Sequence, residues 1–321
     1  ASGDVRFEQS GGGAFFERGG IVSNCLFVGG EAVYTCGGRG MGAYLYSGGK
    51  LDDCTLRDFN AFGNDPRDVV YFYNGGSPSA LVTNCVVTRN NKGGIYGYWG
   101  GHVYNSTISE NRGPGVTFVG GGQIQDSRIV GNTNILGGQS GGGLNLEYAT
   151  VARNCEISGN TAKRAAGVYF GRNSGTSIPL VENCTISGNM ATNNAEDGGG
   201  GIGTSADACG RVLNCIVWGN THPGYASSNI YDISANFSVT NSCAGPLPDG
   251  EGNIAAEPRF RGAEAGNYRL GEGSPCINAG TNQSWMVGAT DLYGIARIRD
   301  GIVDMGAYEF YPGPGTIFLG R

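Results

Sequence analysis

A polar pair followed by a short alternating strand recurs along most of this chain. The pairs are Asn24-Cys25, Asp53-Cys54, Asn84-Cys85, Asn105-Ser106, Asp126-Ser127, Asn154-Cys155, Asn183-Cys184 and Asn214-Cys215, at intervals of 21 to 31 residues. In Asn183-Cys184-Thr185-Ile186-Ser187, strand alternation turns Cys184 and Ile186 inward and Thr185 and Ser187 outward. The place of Ile186 is filled in the other copies by Phe27, Leu56, Val87, Ile108, Ile129, Ile157 and Val217, all apolar. A period of this length, with its variation absorbed by glycine-rich stretches, predicts a solenoid of stacked coils.

Five residues after the Cys or Ser stands a second Asn: Asn90, Asn111, Asn132, Asn160, Asn189 and Asn220. Asn tolerates the left-handed conformation of a sharp corner, and stacked amides can bond along a column. A second strand is expected after each glycine-rich stretch, at GAYLYS, VVYFYN, GIYGYW, GVTFVG, GLNLEY, GVYFGR and GIGTSA, starting at residues 42, 69, 94, 115, 143, 167 and 201. Its inward places are apolar except for Gly97 and Thr204, the weak points of the column.

Composition narrows the class. Glycine supplies 61 of 321 residues without a three-residue period, which means many tight turns rather than collagen. A net charge of -6 argues against nucleic acid or an anionic membrane surface as partner. No apolar run reaches the ~18 residues a membrane span needs. The opening ASGDVRFEQS has no charged and apolar leader, consistent with a signal peptide already removed. Six of the ten cysteines share the repeat place, one strand spacing apart, and are expected inside as a thiol ladder of small hydrophobes. Adjacent rungs are within Cα reach of a bridge, but Cys36, Cys209, Cys243 and Cys276 lie off the ladder and are the better disulfide candidates, with pairing open.

The repeats resemble the right-handed parallel β-helix of pectate-lyase-like proteins and bacterial surface proteins. Gly199-Gly200-Gly201-Ile202 and Ile186-Ser187-Gly188-Asn189 are similar to the GGAI and FxxN repeats of polymorphic outer-membrane proteins. The resemblance covers roughly 20–243 and implies an all-β solenoid of about nine coils. From Ala244 the repeats stop, and six of the 11 prolines follow. SPCINAG at 274–280 and DLYGIARIRDGIVDMGAYEF at 291–310 resemble a terminal module of secreted bacterial β-helix proteins, which implies an extracellular or cell-surface location. The expected division is a β-helix over 1–243 and a module over 244–321 that caps the last coil. The first coil has no comparable cap, leaving strand edges for further sequence or another subunit.

Candidate chemistry gathers on the second strand. Tyr44, Tyr71 and Tyr96 fall in one outward column, and Tyr46, Tyr73 and Tyr98 in the next, with Trp99 and His102 following. Six exposed tyrosines on three coils would form a flat aromatic face suited to stacking on sugar rings. Cover by a loop, or packing against another copy of the chain, explains the same columns. Nearby turns carry Arg57, Asp58, Asp65, Arg67, Asp68, Arg89, Lys92, Glu110 and Arg112. The resemblance implies that a lyase of this fold takes the proton alpha to a uronic carboxylate, using a base and a Ca²⁺ ion or cationic side chain. Arg89, Lys92 and Arg112 would then be the cations, with Tyr98 or His102 handling the proton. A hydrolase would need clustered outward aspartates, and the first-strand positions Leu26, Thr55, Val86, Thr107, Arg128, Glu156, Thr185 and Ile216 do not supply them. Arg128 and Glu156 read there as a surface ion pair of little weight.

No resident metal site is expected: His102 and His222 are isolated, and the thiols face inward. The reading that results is a non-catalytic extracellular scaffold that binds a polysaccharide or copies of itself, as an adhesin or filament subunit. The competing reading is a polysaccharide lyase acting on a uronic-acid polymer.

Overall fold

In a computed structural model the chain winds into a parallel β-solenoid; the structure describes residues 13–29, 31–33, 40–62, 68–73, 79–135, 140–171, 178–193, 199–223, 229–231, 234 and 236–312, with side chains omitted at 31–33, 61 and 62. Three nine-stranded parallel sheets form the walls. The first sheet runs from Ala14–Phe16 to Ile230–Tyr231, the second from Ile21–Ser23 to Asn236–Thr240, and the third from Leu26–Val28 to Cys243–Ala244. Each coil visits them in that order. The third sheet is the strand expected after Asn-Cys, and its register stacks Phe27, Leu56, Val87, Ile108, Ile129, Ile157, Ile186 and Val217, then Ala244. A ninth pair, Asn241-Ser242, continues the repeat.

The second sheet is a wall beyond the two strands expected per coil. Its inward column is Val22, Leu51, Val82, Val103, Ile124, Ala152, Val181, Val212 and Val239. These side chains join those of the other two sheets in one continuous core. Gly97 is not a flaw in that core. A Cβ there would meet the Phe118 ring at 2.4 Å, so the missing side chain makes room for the neighbouring coil's aromatic.

The two Asn columns divide the labour differently from the sequence expectation. The left-handed corner belongs to the first column: Asn24, Asp53, Asn84, Asn105, Asp126, Asn154, Asn183, Asn214 and Asn241 all have φ between 46° and 54°. The second column is a buried amide ladder. Each Nδ2 from Asn90 through Asn220 donates to Oδ1 of the next, ending on Asn229, over 2.8–3.0 Å. The same Oδ1 accepts the backbone N–H of the preceding rung.

The Cys/Ser column also does more than fill space. Cys54, Cys85, Cys155, Cys184 and Cys215 donate to the carbonyl two residues earlier over 3.1–3.3 Å. Ser106, Ser127 and Ser242 make the same bond over 2.7–2.8 Å. Thiol and hydroxyl alternate because both are donors of the right length. Burial pushes the Cys85 thiol up to about 12, so this rung is unreactive at neutral pH. Two expectations change: Cys25 is exposed rather than inside, and all nine described cysteines, Cys209, Cys243 and Cys276 among them, are free thiols. Cys36 lies outside the described residues.

Beyond Ala244 the chain leaves the coil path and covers the outer face of the third sheet. Ala307 N–H donates to Thr185 Oγ1 at 3.0 Å, Gly306 N–H to the Asn214 carbonyl at 2.7 Å, and Asn154 Nδ2 to the Thr290 carbonyl at 2.9 Å. Glu156 is thereby buried, not half of a surface pair. It holds Arg128 at 3.1 Å, accepts from Ser158 Oγ at 2.8 Å, and accepts from the Tyr308 hydroxyl. The charged residues of 291–310 face one another inside this layer. Arg297 pairs with Glu309 at 3.3 Å and donates to the carbonyls of Asp304 and Gly306. Asp291 accepts the N–H groups of Tyr293, Ile295 and Glu309. Tyr308→Phe is expected to cost about 2 kcal/mol, since it strands a buried carboxylate oxygen. Hydrogen exchange should rise across 304–310 and stay low in the coils; unchanged exchange would remove Tyr308 as the clasp.

Candidate functional site

The first sheet presents the tyrosines. Its register aligns Phe15, Tyr44, Tyr71, Tyr96, Thr117, Asn145, Tyr169 and Gly203 in one outward column. Tyr73, Tyr98 and Val119 form the adjacent one. Tyr71 stacks on Tyr96 at 5.2 Å with 9° between planes, Tyr46 on Tyr73 at 5.3 Å and 5°, and Tyr73 on Tyr98 at 5.7 Å and 17°. Rings spaced by one coil and lying face to face cannot also offer those faces to solvent. The flat face expected from sequence is therefore replaced by two stacks that present ring edges along the solenoid axis. Exposure is graded as well: Tyr46 is exposed, Tyr71, Tyr73, Tyr96 and Tyr98 are half-buried, and Tyr44 is buried. Burial pushes the Tyr96 phenol up to about 12.

Trp99 follows the strand Ile95–Tyr98 and is 55% exposed. Its own φ is 62°, and its ring lies over Gly120, where a Cβ would approach to 2.9 Å. His102 opens the second-sheet strand His102–Tyr104 and stacks on Tyr104 at 5.7 Å. Burial lowers its pKa, and its Nδ1 is buried without a hydrogen-bond partner among the described residues.

The cations sit elsewhere. Arg89 and Arg112 line a cleft of about 330 Å³ with Asn60, Asn90, Asn91 and Glu110, at the corner leaving the third sheet. In this corner the residue four after the Cys or Ser is left-handed from the second coil to the eighth. The later coils use Gly131, Gly159, Gly188 and Gly219, whereas the earlier ones hold Asp58, Arg89 and Glu110 there, at φ of 54–61°. Non-glycine residues in this region carry strain and gather at functional sites. The three charges alternate along the axis. Asp58 accepts Arg89 Nε at 3.1 Å and Nη2 at 3.2 Å, and also pairs with Arg57. That bidentate bond keeps Arg89 protonated and occupied. Arg112 is exposed and forms no ion pair among the described residues.

Five residues considered for one catalytic centre thus occupy four places. Arg89 and Arg112 share the cleft. Lys92 lies before the first sheet, close to Asp68, and Tyr98 lies at the far end of that sheet. The strand between Lys92 and Tyr98 separates them by more than roughly 10 Å, against the ~3 Å needed for proton transfer. His102 is on the second sheet. Asp65 and Arg67 fall outside the described residues.

Asp68 is the residue whose importance sequence reasoning understated. It is buried at the entry to the strand Val70–Tyr73, accepts the Gly93 N–H, and lies near Lys92 and Tyr96. Removal from water outweighs the lysine and pushes its carboxyl up to about 7. A Cβ on Gly93 would sit 1.9 Å from the carboxyl oxygen, so a side chain there would push the Asp68 carboxyl from its place. Among the described residues, no three His, Cys, Asp or Glu side chains are placed to hold a metal ion, and no helix is long and apolar enough to cross a membrane.

Comparison with known proteins bears on the fold. No curated protein matches the sequence. Among solved structures the chain is similar to the pectate lyase Pel9A, at 15% identity over 89% of this chain and 87% of that one, with a TM-score of 0.40. It is also similar to XylC in complex with xylose, at 11% identity over 88% of this chain and 64% of that one, with a TM-score of 0.43. A family model described as a right-handed β-helix region matches residues 47–209, half of the chain. Those residues are the stacked coils themselves, and the chain belongs to the right-handed β-helix family.

Proposed function

We propose that this protein is an extracellular or cell-surface scaffold that binds a polysaccharide along the tyrosine stacks of its first sheet. The observation that carries the reading is the pair of aromatic columns running parallel to the solenoid axis over consecutive coils. Edges of stacked phenol rings repeat at the coil spacing, a periodic surface that suits an extended polymer better than a compact ligand. Trp99 adds an exposed aromatic beside Tyr98, edge to face at 5.4 Å. Aromatic bodies with polar tips match the mixed apolar and hydroxyl surface of sugars. The same stripe could instead receive a second copy of the chain, which is the outcome to separate by experiment.

The lyase reading is less well supported. Its cations and its proton-handling residues lie apart, and Arg89 is committed to Asp58. The test is calorimetric titration of the full chain with pectate, alginate and glycosaminoglycans, with sedimentation of the same samples. The Tyr46→Ala, Tyr73→Ala double variant should bind at least about tenfold more weakly, ~1.4 kcal/mol, while remaining folded. Unchanged affinity would exclude the stacks as the binding surface. Sedimentation as an oligomer that the double variant loses would favour self-association. Appearance of the ultraviolet absorbance of an unsaturated uronide would make the protein a lyase.

A further inference from the structure

Cys243 and Cys276 meet at the seam between the last coil and the chain that covers it. Cys243 aligns with Ile216, Thr185 and Glu156 on the outward face of the third sheet, so it points away from the solenoid core and into the covering layer. Cys276 comes from that layer. Both are fully buried in one apolar cluster with Ile216, Leu270 and Met305. Their thiols are within hydrogen-bonding reach of each other, and the Cys243 Sγ also donates to the Ala256 carbonyl at 3.1 Å. Backbone bonds fix both positions: Cys243 N–H donates to the Cys215 carbonyl at 2.8 Å, and the Cys276 carbonyl accepts Met305 N–H at 3.0 Å.

We infer that Cys243 and Cys276 are an oxidisable pair whose disulfide staples the covering segment to the last coil. The geometry sets this pair apart from the ladder thiols, although Cys184 also touches Cys155 and Cys215. Ladder cysteines sit side by side on in-register parallel strands, so their Cα–Cβ bonds run parallel. A disulfide needs Cβ atoms that approach each other. Cys243 and Cys276 project from two facing layers toward a common point.

With glutathione disulfide as oxidant, the Cys243 or Cys276 thiolate attacks one glutathione sulfur and releases a glutathione thiol. The second cysteine then displaces the other glutathione from the mixed disulfide. One protein S–S bond forms, one glutathione S–S bond breaks, and the two thiol protons end on two glutathiones. Because both sulfurs are buried once the segment docks, the exchange happens during folding or on transient opening, and the closed bond is shielded from reductants. The bond closes a loop of about 33 residues, so it restrains the unfolded chain substantially.

The experiment is refolding of the full chain from urea in reduced or oxidised glutathione, trapping with N-ethylmaleimide, and non-reducing peptide mapping. Cleavage must include an Asp-directed protease, since Asp232 separates Cys215 from Cys243. The expected result is a cross-link between Cys243 and Cys276, with a melting temperature about 5 °C or more above the reduced form. Cys276→Ala should abolish that shift; if this variant does not fold, the mapping of the natural chain still decides. Maleimide on both residues after oxidising refolding, or a cross-link between rungs among Cys155, Cys184 and Cys215, overturns the inference.

Discussion

Replacing Asn160 by alanine is expected to cost about 4 kcal/mol, more than any single apolar truncation to alanine at a valine of the core. Asn160 is fully buried in the middle of the amide ladder. Its Oδ1 accepts Asn132 N–H at 2.9 Å and Asn132 Nδ2 at 3.0 Å. Its Nδ2 donates to the Ile129 carbonyl and to Asn189 Oδ1, both at 2.9 Å. Alanine removes four hydrogen bonds, each worth about 1 kcal/mol. The Asn132 N–H and one Asn132 Nδ2 hydrogen lose their acceptor. The Ile129 carbonyl and Asn189 Oδ1 each lose one donor, although Asn189 Oδ1 keeps the Asn160 N–H. Since each coil rests only on its neighbours, the loss falls at a single interface and divides the stack there. Urea unfolding should show a lower midpoint. A shallower slope, if it appears, reports that the two halves no longer unfold together. A loss under about 1 kcal/mol would mean that water re-pairs those groups, and the ladder would not be the element that locks the coils.

The contrast between the two Asn columns shows what the sequence holds and where it misleads. Both columns look alike at single positions. Yet Asp53 and Asp126 occur only in the first, and an ionised carboxylate cannot donate along a ladder. From Asn90 to Asn220 the second column is Asn without exception, and glycine precedes it in Gly131-Asn132, Gly159-Asn160, Gly188-Asn189 and Gly219-Asn220, marking where the left-handed residue falls. The second sheet was legible too, because an apolar residue stands two places before every first-column residue, from Val22 to Val239. Its strands are mostly three residues, too short for alternation to announce them. Other features were out of reach. The burial of Glu156 depends on Tyr308, 152 residues later in the chain. Ring orientation in the tyrosine stacks is set by packing against adjacent coils, which a column of names does not encode. The separation of Arg89 from Tyr98 follows from the width of a strand, but only once the corner and the sheet are assigned to their walls.

Asp68 should make the protein lose stability as pH rises toward neutrality. Its carboxyl titrates at about 7 in the fold against an ordinary value of 3.8. Because the folded-state value is raised, the favourable contribution is complete below pH 3.8 and disappears as pH climbs through about 7. Over that window the unfolded chain releases the proton first, and the shift corresponds to up to roughly 4 kcal/mol. Asp68→Asn keeps an acceptor for the Gly93 N–H and cannot ionise. Thermal unfolding of both proteins across the window isolates this group, since every other carboxyl cancels in the difference. The variant should match the natural chain near pH 4 and exceed it near pH 8. A difference that does not change with pH would mean that Lys92 keeps Asp68 ionised throughout. The expected result has a consequence for the first sheet. A carboxyl that is half-protonated near neutrality, beside Lys92 and Tyr96, leaves that edge of the tyrosine stacks more negative as pH rises. Binding of a uronic-acid polymer at the stacks should then weaken from acid to alkaline pH in the natural chain and stay level in Asp68→Asn, whereas a neutral glycan should show no such difference.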